Sequence, residues 1–164
     1  MISTDIPRQQ RLTNYILNEV GRMPAVGLYH GQMGAVLALS LYARQQKDDL
    51  LENLLQNLLN AIYEKISVNM PLGMEDGLVG IGYGLTLMAE FTRENANLDD
   101  ALHEVDQCVM YVDPTRYPDL SFRTGLAGVW AYIRERRRIG SSLASFDERY
   151  MNLLTKVIID NGLM

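Results

Sequence analysis

Glu75-Asp76-Gly77-Leu78-Val79-Gly80-Ile81-Gly82-Tyr83-Gly84-Leu85-Thr86-Leu87-Met88-Ala89-Glu90-Phe91 is an almost uninterrupted apolar run with four glycines in its first half. Kindred stretches lie on both sides of it. Gly27-Leu28-Tyr29-His30-Gly31-Gln32-Met33-Gly34-Ala35-Val36-Leu37-Ala38-Leu39 comes before, and Ser121-Phe122-Arg123-Thr124-Gly125-Leu126-Ala127-Gly128-Val129-Trp130-Ala131-Tyr132-Ile133 after. Aligning Gly34, Gly84 and Gly128 gives steps of 50 (84 − 34) and 44 (128 − 84), a spacing that marks a repeat architecture.

Each glycine inside a helix costs roughly 1 kcal/mol against alanine, so Gly80, Gly82 and Gly84 together cost about 3 kcal/mol that packing must offset. Gly27 and Gly31, like Gly80 and Gly84, are four apart, while Gly31 and Gly34, like Gly125 and Gly128, are three apart. Read as helix, each set leaves a bare stripe on one face that admits a neighbouring backbone. A phosphate-binding loop needs a strand running into the glycines, and nothing strand-like precedes any of the three runs. A membrane span needs about 18 apolar residues, and these runs end earlier in charge, at Arg44, Glu90 and Arg134. Close packing of buried helices is the reading that remains.

The rest of the chain supplies partners for these runs. A first helix is expected from about Asp5 to Glu19, stopped by Gly21 and Pro24. The first glycine-led helix follows from about Gly31 to Gln46. Asp49-x-x-Glu52 has the form of a capping box and opens an amphipathic helix with Leu51, Leu54, Leu55, Leu58, Leu59, Ile62 and Ile66 on one face. Pro71 and Gly73 break it before the second glycine-led helix, which runs to about Arg93. Asn97-Leu98-Asp99-Asp100 opens the next outer helix, with Leu98, Ala101, Leu102, Val105 and Val109 as the expected buried stripe, and Asp113-Pro114 to Pro118 is a loop. The third glycine-led helix spans about Thr124 to Ile139, and a second capping box at Ser145-x-x-Glu148 begins the last one. Residues 1–164 read as a single all-α domain: an N-terminal helix, then three pairs, each an inner glycine-led helix and an outer amphipathic one.

A chain of 164 residues buries roughly 70% of its unfolded surface. Fifteen basic against twenty acidic residues give a net charge of −5, which disfavours nucleic acid as a partner. The basic run Arg134-Glu135-Arg136-Arg137-Arg138 closes a helix, where cations complement the dipole, and reads as a solvated helix end. No apolar signal core occupies the amino terminus, so a cytoplasmic location is expected, with no membrane partner. Cys108 is the only cysteine, which rules out an internal disulfide and a thiolate cage. It reads as a small buried residue, and His103, five positions earlier, lies on another helix face. No metal and no cofactor is expected.

The Gly-Leu-x-x-Gly-x-x-Gly lead at Gly27, Gly77-Leu78-Val79-Gly80-Ile81-Gly82-Tyr83-Gly84 and Thr124-Gly125-Leu126-Ala127-Gly128 resemble the repeats of lanthionine synthetase C-like proteins, over about Gly27 to Ile139. The resemblance implies an α/α toroid in which inner helices ring a cavity and outer helices surround them. Such toroids have six or seven pairs; three pairs make about half a ring. Cyclases of that family hold zinc with two cysteines and a histidine in Trp-Cys-x-Gly and Cys-His-Gly contexts, and neither context occurs here. What the resemblance implies is the fold and a place in ribosomal peptide maturation, without the zinc-dependent cyclisation.

By repeat symmetry the residues just before the glycines project from one end of the helix array: Tyr29 and His30, Glu75 and Asp76, Arg123 and Thr124. These six are the candidate ligand-binding residues. Glu75 and Asp76 equally suit the start of a helix, Ser121 and Thr124 suit capping, and Arg123 has Asp119 and Glu75 as possible partners. Tyr83, Trp130 and Tyr132, on inner helices, read as core. Two functions follow. One is a non-catalytic accessory or peptide-binding protein that self-associates through its ring ends or docks on a modifying enzyme. The other is a metal-independent hydrolase or lyase with His30, Glu75 and Asp76 as candidate acid and base, which requires His30 within hydrogen-bond reach of a carboxylate.

Overall fold

The computed structural model describes residues 8–92, 98–139 and 146–163, and these form seven α-helices with no strand among the described residues. They are α1 (Arg8–Val20), α2 (Gln32–Gln46), α3 (Asp49–Tyr63), α4 (Leu78–Thr92), α5 (Leu98–Met110), α6 (Leu126–Ile139) and α7 (Glu148–Asp160). The inner helices α2, α4 and α6 pack in sequence, each carrying its own outer helix, α3, α5 or α7, while α1 lies against α2. This is the expected α/α toroid-like arrangement of three pairs and an N-terminal helix. The expected start of α1 near Asp5 and the residues Asn97 and Ser145 lie outside the described residues.

Amphipathic patterning explains the outer helices. On α3, Leu51, Leu55, Leu59 and Ile62 are buried at spacings of three and four, and on α7 Tyr150, Leu154 and Ile158 are buried at a spacing of four. Their caps differ from the expected boxes. Asp48, one residue before the expected box, accepts from the Leu51 amide at 3.0 Å, and Asp147 accepts from the Tyr150 amide at 2.9 Å. Each is the acidic side chain directly ahead of the first helical residue, where extended backbone lets the carboxylate turn back onto the amides two or three positions on.

The inner helices start by a different device, repeated three times. The loop before each one doubles back so that its carbonyls, seven residues upstream, take the first helical amides. Gln32 and Met33 bond to Ala25 and Val26 (3.0 and 3.1 Å), Leu78 and Val79 to Pro71 and Leu72 (2.9 and 3.1 Å), and Leu126 to Asp119 (3.0 Å). Donors that a side-chain cap would otherwise satisfy are consumed by backbone. The doubled-back loop then lays the carbonyls of Leu28, Met74 and Phe122 directly on Gly34, Gly80 and Gly128, where a Cβ would collide with them.

Gly80 rather than Gly84 is therefore the middle member of the series, and the repeat steps are 46 (80 − 34) and 48 (128 − 80). The glycines outside the helices serve the loop: Gly27, Gly31, Gly77 and Gly125 all precede helical residues, so the stripes expected from them are not helix faces. Gly84 does lie on a helix face, against the Met33 and Leu28 side chains of the preceding repeat.

Successive loops are also tied to one another. The Leu28 and Tyr29 amides donate to the Met74 and Glu75 carbonyls (3.1 and 3.3 Å), and the Glu75 amide donates to the Arg123 carbonyl (2.9 Å). A ladder of backbone bonds thus brings the three pre-helical loops together at one end of the array.

The basic run at the end of α6 is not uniformly solvated. Arg136 is 1% exposed and lies 3.4 Å from Asp106 of α5 and 2.6 Å from Asp99. Tyr132, fully buried one turn earlier, donates its hydroxyl to Asp106 at 2.5 Å. Helical phase is the reason: Tyr132, Val129 and Arg136 share the stripe that packs into the core, and Arg134, Arg137 and Arg138 do not. Of the inner aromatics, Tyr132 is core, whereas Tyr83 and Trp130 are half-buried.

Candidate functional site

The loop ladder determines which side chains meet. Glu75 sits in the middle loop, with Tyr29 and Arg123 as its equivalents one repeat before and one after. Its carboxylate Oε1 lies 2.6 Å from Nη2 of Arg123 and 3.2 Å from Nε2 of His30. Those two nitrogens are 3.4 Å apart. Because the carboxylate only accepts, the arrangement calls for the His30 tautomer that carries its proton on Nε2 and leaves Nδ1 available.

Tyr29, His30 and Arg123 line an open depression of about 390 Å³. All three are largely exposed, while Glu75 is only 22% exposed beneath them. Arg123 therefore chooses Glu75, not Asp119. In such water access the Arg123–Glu75 pair contributes about 1 kcal/mol or less to stability, so the cluster does not hold the fold together.

The other candidates sit beside this group. Thr124 donates its hydroxyl to Asp119 Oδ2 at 2.5 Å, and Asp119 also takes the Ser121 amide at 2.7 Å. Those bonds hold the Asp119 carboxyl below its ordinary range, the Thr124 hydroxyl first and the Ser121 amide next. The Thr124 carbonyl receives the Tyr117 hydroxyl at 3.2 Å. Ser121 and Thr124 thus brace the third loop, and the first amide of α6 is taken by the Asp119 carbonyl instead. Asp76 packs its backbone against Gly27, and its Oδ1 is buried with no hydrogen-bond partner among the described residues. Its charge, after burial and Asp119, helps push the Tyr117 phenol up.

A second bridge escaped the sequence reading. Arg138 of α6 reaches Glu90 of α4 at 2.7 Å and Glu135 at 2.6 Å, clamping the inner helices at the end away from the loops. Glu90 and Arg138 are 48 apart (138 − 90), as are Glu75 and Arg123 (123 − 75). Opposite charges one repeat step apart were the available signal, but a step of 44 pairs Glu90 with Arg134 (90 + 44), and only a step of 48 selects Arg138 (90 + 48). Between the two bridges the half-buried Tyr83 phenol is pushed up by burial, then by Glu135, with Tyr29 also close enough to act on it. A polar surface therefore runs from the depression along the inner helices.

An all-helical array of inner and outer pairs, with its polar cluster where the pre-helical loops converge, defines an α/α-repeat protein of the toroid class. The sequence matches the family described as lanthionine synthetase C-like protein over residues 23–162, nearly the whole chain, and it belongs to that family. A search of curated proteins finds no match. The zinc of the family's cyclases does not fit these residues. Cys108 is the only cysteine, it is buried on α5, and among the described residues no three His, Cys, Asp or Glu side chains are placed to hold a metal. No helix among the described residues is long and apolar enough to cross a membrane.

Proposed function

We propose that this protein is a peptide-binding accessory member of its family, non-catalytic itself, that serves the maturation of ribosomally synthesised peptides. Its contact surface is the depression between Tyr29, His30 and Arg123. The observation that carries the reading is the composition and openness of that place: an aromatic ring, an imidazole and a guanidinium from two non-adjacent repeats around about 390 Å³ of open space. A shallow surface of this kind suits an extended segment, with Tyr29 offering a rigid apolar face and Arg123 a fork for carboxylates. Glu75 occupies that fork at 2.6 Å and holds the place that a ligand carboxylate would take.

Panning a phage-displayed random peptide library against the protein provides the test. Peptides that bind the wild-type chain are expected to lose about tenfold or more in affinity with Arg123→Ala, the loss of a charge-assisted contact. Equal binding by wild type, Arg123→Ala and His30→Ala would end this reading.

One distance favours a second reading. His30 and Glu75 are 3.2 Å apart, within the reach a histidine–carboxylate dyad needs. In a metal-independent hydrolase or lyase, Glu75 would orient the ring and His30 Nδ1 would accept the proton, with Asp76 as a further carboxylate. Turnover of a chromogenic ester panel that vanishes in His30→Ala would establish this reading in place of the first.

A further inference from the structure

The repeats obey a translation rule, and the rule runs out at both ends of the array. In the first repeat the loop residue Leu28 packs forward onto the next inner helix. Its amide nitrogen lies 2.6 Å from where a Gly80 Cβ would be, and its Cδ1 lies 3.4 Å from the same point on Gly84. Met74 repeats this one step on, fully buried, with its Cβ 3.6 Å from the Cβ point of Gly128. Phe122 is the third member of the series. No fourth inner helix stands in front of it among the described residues, and it is 45% exposed.

At the opposite end the receiving positions are present without a donor loop among the described residues. One step back from Gly80 and Gly84 are Gly34 and Ala38 (80 − 46 and 84 − 46). Ala38 is exposed, with Leu41 beside it 42% exposed. The cavity that α1 lines together with α2 and α3 includes Tyr42 and neither Gly34 nor Ala38.

The backbone ladder is open in the same sense. Its rule is amide of one loop to carbonyl of the next, so the Arg123 amide lacks an acceptor and the Tyr29 carbonyl lacks a donor among the described residues. Ser121 stands where Gly27 and Gly73 stand in the other loops. A Cβ at Gly73 would lie 3.0 Å from the Arg123 carbonyl and one at Gly27 2.5 Å from the Glu75 carbonyl, so Ser121 requires the facing loop to sit further out than it does at the two internal steps.

Each end thus presents what the other lacks. We propose that two copies of this chain associate head to tail, the third loop of one against α2 of the other. Phe122 then seats on Gly34 and Ala38 of the second copy, and the Arg123 amide meets the Tyr29 carbonyl. Arg123 also gains the second copy's Tyr29 ring, a cation over an aromatic face. The contact is heterologous, so position 38 of one copy faces position 122 of the other and no residue faces itself.

The contact draws on Tyr29 and Arg123, which also line the depression, so it is tested through residues outside that depression. Phe122→Cys and Ala38→Cys, each with Cys108→Ala, are oxidised separately and as a mixture. Cross-linking is expected in the mixture and in neither variant alone. Sedimentation equilibrium of the unaltered chain is expected to show self-association that Phe122→Asp weakens about tenfold or more, with helical content by circular dichroism unchanged. A monomer at every concentration, or a variant that cross-links with itself while the mixture does not, overturns the proposal.

Discussion

Two arginine–carboxylate clusters in this protein use the same chemistry and differ in water. Arg136 meets Asp106 and Tyr132 in the core, where Arg136 and Asp106 are each 1% exposed. Arg123 meets Glu75 and His30 at the loop end, where the Arg123 side chain is 60% exposed. In the core the ions have given up hydration, so each depends on the partners that replace it. At the loop end water replaces a lost partner at little cost, so the same pair is free to exchange one of its members for a ligand. Burial separates a cluster that specifies packing from one that is available for recognition.

Removing the core arginine breaks the comparison most severely. Arg136→Ala leaves Asp106 buried against Tyr132 without its cation, and is expected to cost about 3–5 kcal/mol in urea-unfolding free energy. Arg123→Ala is expected to cost about 1 kcal/mol or less in the same measurement. Equal losses would mean that the two environments do not differ in the way their exposure indicates.

Acid titration follows in size. The Asp106 carboxyl is raised from 3.8 to about 6, first by burial, with Asp99 adding and the Tyr132 hydroxyl and Arg136 opposing. A carboxyl raised in the folded state contributes stability that is fully present below its unfolded value. That contribution is lost as pH rises through the folded value. The urea midpoint is therefore expected to fall between about pH 4 and 7, by an amount equivalent to roughly 2–3 kcal/mol. Asp106→Asn, which keeps an acceptor for Tyr132, is expected to flatten that slope. Depressed carboxyls such as Glu135, held down first by its bond to Arg138, act in the opposite direction and only in more acidic solution.

Tyr132 couples this cluster to the central helix. A Cβ at Gly82 would lie 2.6 Å from Cζ of the Tyr132 ring, and that ring is fixed by its bond to Asp106. Gly82→Ala is expected to destabilise by about 1–3 kcal/mol through overpacking, even though alanine is favoured by about 1 kcal/mol in a free helix. Thermal unfolding of the single variant decides the sign. Stabilisation would show that the ring moves aside easily and that the core cluster is looser than its burial indicates.

The fold was legible because apolar phase and glycine placement are local properties. Leu51, Leu55, Leu59 and Ile62 announce a buried stripe wherever the helix ends up, and three glycine-led runs announce a repeat. Register was less legible. Several glycines in α4 match Gly34 and Gly128 equally well as letters, and only the loop carbonyl resting on Gly80 chooses among them. That four-residue ambiguity hid the Glu90–Arg138 bridge. It also kept the Glu75–Arg123 pair as one of two options, although repeat symmetry had placed both residues at the same end. Arg136 was hidden for another reason: a basic run at a helix end looks solvated until the stripe set by Val129 and Tyr132 carries one of its members inside.

The smallest effect on stability carries the sharpest statement about the exposed cluster. Glu75→Ala removes a carboxylate from water-accessible surroundings, so its unfolding free energy is expected to change by about 1 kcal/mol or less. Its effect on binding is expected to be opposite to that of Arg123→Ala. Glu75 occupies the guanidinium at 2.6 Å and competes with any incoming carboxylate. Without it, acidic peptides selected on the wild-type chain are expected to bind more tightly, by about threefold to tenfold, and with a steeper dependence on salt. Fluorescence anisotropy with one such peptide at two salt concentrations measures both. If Glu75→Ala and Arg123→Ala weaken binding alike, the carboxylate orients the arginine for its ligand; if they diverge, it holds the place that the ligand takes.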